Sequence, residues 1–256
     1  MNGQVEQMCN IVLCARKALY ENEEINFVTS KHVLSIKFVF TSELIGQKSF
    51  EADSVWKWFH ICKERDLDDI KFMIPTATDD RYILGFSNTS QGLIVCFWKQ
   101  GKVTCFCPIW EFDSERKGWN IVYEEHLMTS VRKENITFTN QTEEFKKVLL
   151  DIGKLATDIG FEGFPNIFHN AYEALCDFSH VEPCHVSAQV PNEFKGIYYA
   201  VETADVFGAM GSWNDSPPYY AHQKGLEKEY NELSDKLLKQ LRYHMMYVVN
   251  ESWQKK

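Results

Sequence analysis

Between residues 71 and 123, short apolar runs follow one another too closely for helices to fit between them, and this spacing limits the fold more than any other feature of the chain. The runs are Phe72-Met73-Ile74, Tyr82-Ile83-Leu84-Gly85-Phe86, Leu93-Ile94-Val95-Cys96-Phe97-Trp98, 103–110 and 119–123, separated by turn-forming residues. Parallel strands need a crossover of a dozen or more residues, so these strands are expected to be mostly antiparallel neighbours. Lys99-Gln100-Gly101-Lys102 is the expected hairpin turn between two of them. Several runs are apolar at consecutive positions, which predicts helices covering at least some of the sheet.

The flanking chain supplies those helices. Val5, Met8, Val12, Ala15 and Leu19 recur at helical spacing and predict an amphipathic helix over 4–20 that packs on a sheet. Ile25, Phe27 and the alternation through 33–40 read as strand, and Val55, Trp56, Phe59 and Cys62 as a helix capped by Asp53 or Ser54. An acidic run, 64–69, follows. Beyond residue 140, Phe145, Val148, Leu149, Ile152, Leu155, Ala156 and Ile159 form one helical stripe, with Thr142 as expected cap and Gly160 as expected stop. A second helix is expected over 165–178, opening on Pro165, then a connection with Pro183 and Pro191, then a further strand at 197–201. Leu226, Tyr230, Leu233, Leu237, Leu241, Met245 and Val248 predict a final helix of roughly 27 residues and about 40 Å, which braces the fold or pairs with a second copy as a homodimer. These elements make an α+β protein: a mostly antiparallel sheet from the N-terminal half packed against helices from the C-terminal half, with a long C-terminal helix. A single domain over residues 1–256 is expected; the alternative is a β-rich subdomain (residues 1–138) abutting a helical one (residues 139–256).

Composition narrows the function classes. A chain of 256 residues that is 45% hydrophobic has ample material for a core, and a net charge of −9 speaks against nucleic acid, whose phosphates need a basic face. A basic partner or a neutral ligand fits this charge. The opening residues lack a basic patch followed by an apolar run, and no stretch approaches the roughly 20 apolar residues of a membrane helix, so a soluble cytoplasmic protein without membrane association is expected. The eight cysteines then read as reduced, mostly buried thiols.

Motifs that specify a reaction are missing: no P-loop, GxGxxG, HExxH, GxSxG or CxxC occurs. Cys105-x-Cys107 places two thiols on one face of a strand, and Cys176, His180, Cys184 and His185 lie in a later segment. Two such pairs resemble a zinc ligand set, but a C-x-C step on a strand does not match the usual ligand spacing, and neither metal nor cofactor is expected. Cys184-His185 is adjacent only in sequence, a poor basis for thiol catalysis. The acidic clusters Asp66/Asp68/Asp69, Asp79-Asp80, Glu111/Asp113 and Glu124-Glu125-His126 read as solvated faces, given 36 acidic residues in all.

The segment 201–220, V-E-T-A-D-V-F-G-A-M-G-S-W-N-D-S-P-P-Y-Y, combines turn formers, aromatics and carboxylates. Asp205, Trp213, Asn214, Asp215, Tyr219, Tyr220 and His222 are the candidate binding residues, because Trp and Tyr in a turn-rich setting often anchor interfaces. Trp213 equally suits a plug beneath the final helix. The expected function is a cytoplasmic binding protein with no reaction of its own, neutralising a basic protein partner in the manner of an immunity protein. The alternative is a hydrolase or transferase using Asp205, Asp215 or His222 with a carboxylate from the other half of the chain.

Overall fold

The computed structural model describes residues 3–41, 50–84, 91–180 and 189–254. They form an α+β fold in two compact units, a sheet unit of Gly3–Ile74, Gln91–Phe138 and Val249–Lys256, and a helical unit built on Pro75–Ser90 and Thr139–Val248.

The sheet unit holds β1 (Val33–Phe40), β2 (Phe50–Ala52), β3 (Leu67–Met73), β4 (Leu93–Trp98), β5 (Val103–Asp113) and β6 (Gly118–Leu127) in the order β2-β1-β6-β5-β4-β3. All neighbours are antiparallel except β1 and β6. The 99–102 hairpin closes as its sequence predicts: Trp98 N–H donates to Lys102 O at 3.0 Å, and Gly101 sits at φ 79°, a backbone angle open to glycine. Ile36, Phe38 and Phe40 alternate into the core. Phe38 stacks between Trp58 (4.6 Å) and Tyr123 (4.8 Å), with Phe106 edge-on at 5.6 Å. α1 (Gly3–Tyr20) buries Met8, Ile11, Val12 and Ala15, and its Gln7 accepts a 2.8 Å hydrogen bond from Tyr123 Oη. α2 (Val55–Glu64) is capped by Ser54, whose Oγ accepts from Lys57 N at 3.2 Å. The free edge of β3 is met by Asn250, which donates to Phe72 O and accepts from Phe72 N, both at 2.8 Å. A side-chain amide there does what a further strand would do.

The helical unit contains α3 (Thr142–Asp158), α4 (Gly163–Cys176), α5 (Asn192–Ala204), α6 (Pro217–Gln223) and α7 (Glu227–Glu251), whose final residues count with the sheet unit. Phe145, Val148, Leu149, Ile152, Leu155 and Ala156 form the buried stripe of α3, and Gly160 at φ 94° stops the helix. α4 and α5 approach so closely at Gly196 that a Cβ there would lie 2.6 Å from Ala174 O. The 25 residues of α7 bear out the long final helix, and its stripe is buried.

Several local expectations fail for identifiable reasons. Tyr82, Ile83 and Leu84 are not strand: Arg81–Ile83 is a 3-10 turn, wound because the Arg81 side chain is drawn inward while Tyr82 and Ile83 stay exposed. Gly85 and Phe86 lie outside the described residues. Residues 197–201 belong to α5, where Tyr198, Val201 and Ala204 recur at three and are buried, a helical period that a five-residue window hides. Ile25 and Phe27 precede the strand as irregular chain. The acidic run 64–69 ends inside β3, because Arg16 neutralises a buried Asp69 at 2.6 Å. Thr142 is the first residue of α3 and not its cap; Asn140 Oδ1 accepts from Thr142 N at 2.9 Å instead. The three residues of β2 carry no signal of their own.

Candidate functional site

The seven candidate residues all lie in the helical unit, between the end of α5 and the end of α6. The chain leaves α5 at Asp205 and returns on itself at Trp213, whose N–H donates to Val206 O at 3.0 Å. Within that loop Gly211 adopts φ 79° and gives its N–H to Asp215 Oδ2 at 2.9 Å. Ser212 Oγ donates to Gly208 O at 2.8 Å and accepts from Asn214 N at 3.2 Å. A turn must pair its own backbone groups, and here Ser212 and Asp215 do so. Pro217 then opens α6, in the first turn, where a missing N–H costs nothing.

Trp213 is fully buried and presents no surface. Its Nε1–H donates to Ser234 Oγ at 2.8 Å, its carbonyl accepts from Tyr230 Oη at 2.6 Å, and its ring meets Phe164 at 5.0 Å, Phe168 at 5.5 Å and Tyr230 at 5.4 Å. It therefore fastens the loop to α4 and α7. Asn214 Nδ2 donates to Arg81 O at 2.7 Å, which joins the loop to the turn carrying Tyr82 and Ile83. Arg81, itself 1% exposed, donates from Nε to Asp235 at 2.7 Å and from Nη2 to Tyr82 Oη at 2.8 Å and Asn231 at 2.9 Å. These partners escaped sequence reasoning. The available signal was the polar set Asn231, Ser234 and Asp235, spaced by three and one beside the apolar stripe of α7.

Besides Asp215 and Ser216, the segment leaves large apolar side chains outside. Met210 is 94% exposed, Tyr219 61% and Tyr220 46%. Tyr220 meets Phe161 edge-on at 5.4 Å and Tyr219 at 5.5 Å, so the two tyrosines are held against each other and against the chain after α3. His222, exposed, lies 3.0 Å from Glu227 Oε2. Asp205 is partly buried, and loss of water pushes its carboxyl above the usual carboxylate range. Asp215 and His222 each hold a local partner.

No family model, curated protein or solved structure matches the chain. Its chemistry therefore rests on its own geometry. The acidic clusters are not uniformly solvated, since Asp69 and Glu125 are buried, and five of their members form separate ion pairs: Asp66 with Lys99 at 3.1 Å, Asp68 with Lys133 at 2.7 Å, Asp69 with Arg16, Asp80 with Arg242 at 2.6 Å, and Glu125 with Arg65 at 3.4 Å. Among the described residues, no group of three or more His, Cys, Asp or Glu side chains is arranged to hold a metal, and no helix is long and apolar enough to cross a membrane. Cys105 and Cys107 bring their sulfurs to 3.9 Å, while Cys184 and His185 lie outside the described residues.

Proposed function

We propose that the chain is a cytoplasmic binding protein without a reaction of its own, gripping another protein through residues 210–222. The observation that carries this reading is the exposure of Met210, Tyr219 and Tyr220 on a segment pinned from beneath by Trp213 and Asn214. Aromatic side chains held in place before binding lose little freedom on contact, and such rigid anchors supply most of the energy of an interface. Exposed Asp215, Glu227, Glu229 and Glu232 outnumber exposed Lys224 and Lys228 next to the segment, and the chain carries a net charge of −9, so a basic partner is favoured, as an immunity-type inhibitor would need. The apolar stripe of α7 is buried, and pairing through it does not enter this reading. Asp215 and His222 are engaged locally, and we build no hydrolase or transferase step on them.

Immobilised wild-type protein and the M210A/Y219A/Y220A variant are compared for capture from an extract of the source cells. The wild type is expected to retain a basic protein whose affinity for the variant is lower by at least about tenfold, the loss of one anchor or more. Equal retention by both would remove this surface from the reading.

A further inference from the structure

The sheet unit carries a second feature that owes nothing to the 210–222 surface. Cys105 and Cys107 occupy one face of β5, with their sulfurs 3.9 Å apart. Two rises of an antiparallel strand separate their Cα atoms by about 6.8 Å, the outer limit for a disulfide, so closing the bond draws the two residues together out of full extension. Cys105 is 5% exposed and packs among Val95, Phe97 and Val103, whereas Cys107 is half-buried at the margin of that cluster. On β6, His126 faces Cys105 across the ladder and Glu124 faces Cys107. The two thiols are thus unequal: one open to solvent, one behind it.

We propose that Cys105 and Cys107 form a reversible dithiol–disulfide site that exchanges with small-molecule disulfides of the glutathione class, Cys107 attacking and Cys105 resolving. The Cys107 thiolate attacks one sulfur of the external disulfide; a new S–S bond forms, the old one breaks, and one thiolate leaves with the electron pair and takes a proton from water. Cys105 then loses its proton to water and attacks Cys107 Sγ, expelling the second thiol and closing the intramolecular bond. Two electrons pass from the cysteine pair to the external disulfide, which is reduced to two thiols.

The surroundings favour this order. A hydrogen bond from Cys105 is the main influence lowering the Cys107 pKa; burial opposes it, the charge of His126 assists it and that of Glu124 opposes it. The same bond and burial raise the Cys105 thiol. Cys14 in α1 and Cys96 in the neighbouring β4 are buried, pushed up by loss of water, and lack a thiolate at neutral pH. Met73, Leu93, Met128, Val131 and Ile136 pack, like Cys107, against the cluster that buries Cys105. Cys176 is exposed and would react on its own, so the test removes it.

The test incubates reduced protein carrying C176S with glutathione at graded ratios of disulfide to thiol, quenches with acid, alkylates the remaining thiols and maps products by mass spectrometry. A Cys105–Cys107 disulfide is expected as the main product, reversed completely by reduced glutathione. The C105S/C176S variant should halt at a glutathione adduct on Cys107, and C107S/C176S should leave Cys105 alkylatable. Retention of both thiols across the full range of ratios would overturn the site, and so would absence of an adduct on Cys107 in the C105S/C176S protein.

Discussion

The loop at 205–222 and the strand pair β5–β6 use their reactive side chains in opposite ways. In the loop, the residues that look most like chemistry are consumed by structure: Trp213 holds Ser234, Asn214 holds Arg81 O, and Asp215 holds Gly211 N. A turn has no ladder, so side chains must satisfy its backbone. In the strand pair the ladder satisfies the backbone, and Cys105, Cys107 and His126 are left to interact with each other and with solvent. Polar residues in a turn are therefore weaker evidence for a site than the same residues on a strand, and what this segment offers a partner centres on Met210 of the turn and Tyr219 and Tyr220 of α6.

The largest effect expected from this contrast is on stability. Trp213→Ala should cost about 3–5 kcal/mol, the usual penalty for removing a fully buried large aromatic, read from urea unfolding followed by circular dichroism. Tyr219→Ala and Tyr220→Ala should each fall within about 0.5 kcal/mol of wild type. A tyrosine change that matched the tryptophan change would break the division between anchor and surface.

Next comes acid sensitivity in the helical unit. His244 is buried against Phe145 at 4.8 Å and donates from Nδ1 to Gln240 O at 2.9 Å; loss of water lowers its pKa to about 4. The unfolded chain binds this proton near pH 6.5 and the folded chain only near 4, so the stability is complete above pH 6.5 and is lost as pH falls toward 4, by about 3 kcal/mol. His244→Phe should flatten that slope in urea titrations at pH 4.5 and 7. On the sheet side, Ser54→Ala should cost about 1 kcal/mol through the lost cap of α2 and leave capture of a partner unchanged.

The smallest effect is confined to β5 and β6. Iodoacetamide modification of Cys107 should rise with an inflection near pH 6, below the range of about 8.5 for a free thiol, because its thiolate accepts from Cys105 and is favoured by the charge of His126. His126→Ala removes a group whose charge lowers the Cys107 pKa and should move the inflection slightly upward, with no change in unfolding midpoint. An unmoved or falling inflection would take His126 out of the site.

The sheet was legible because strand spacing alone excludes crossovers, and the long helix because its stripe repeats often enough to be unambiguous. Short elements were not. A buried arginine reverses the meaning of Tyr82-Ile83-Leu84, since its hydrogen bonds to Asn231 and Asp235 come from about 150 residues away. Residues 197–201 look alike as strand or helix until burial is seen to continue at steps of three from Tyr198 through Val201 to Ala204. In the candidate segment the composition could be read but not the division of labour: Trp213, Tyr219 and Tyr220 are equally aromatic, and burial of the first depends on Ser234 and Tyr230 in α7. The same limit applies to Cys105-x-Cys107, whose shared face was apparent while the facing His126 depended on register.

The most direct test of the binding surface is capture by wild-type protein and by M210A/Y219A/Y220A from the same extract, after both are shown to unfold at the same urea midpoint. A surface on 210–222 predicts a basic protein bound to the wild type and lost from the variant. The same protein retained equally by both would contradict it.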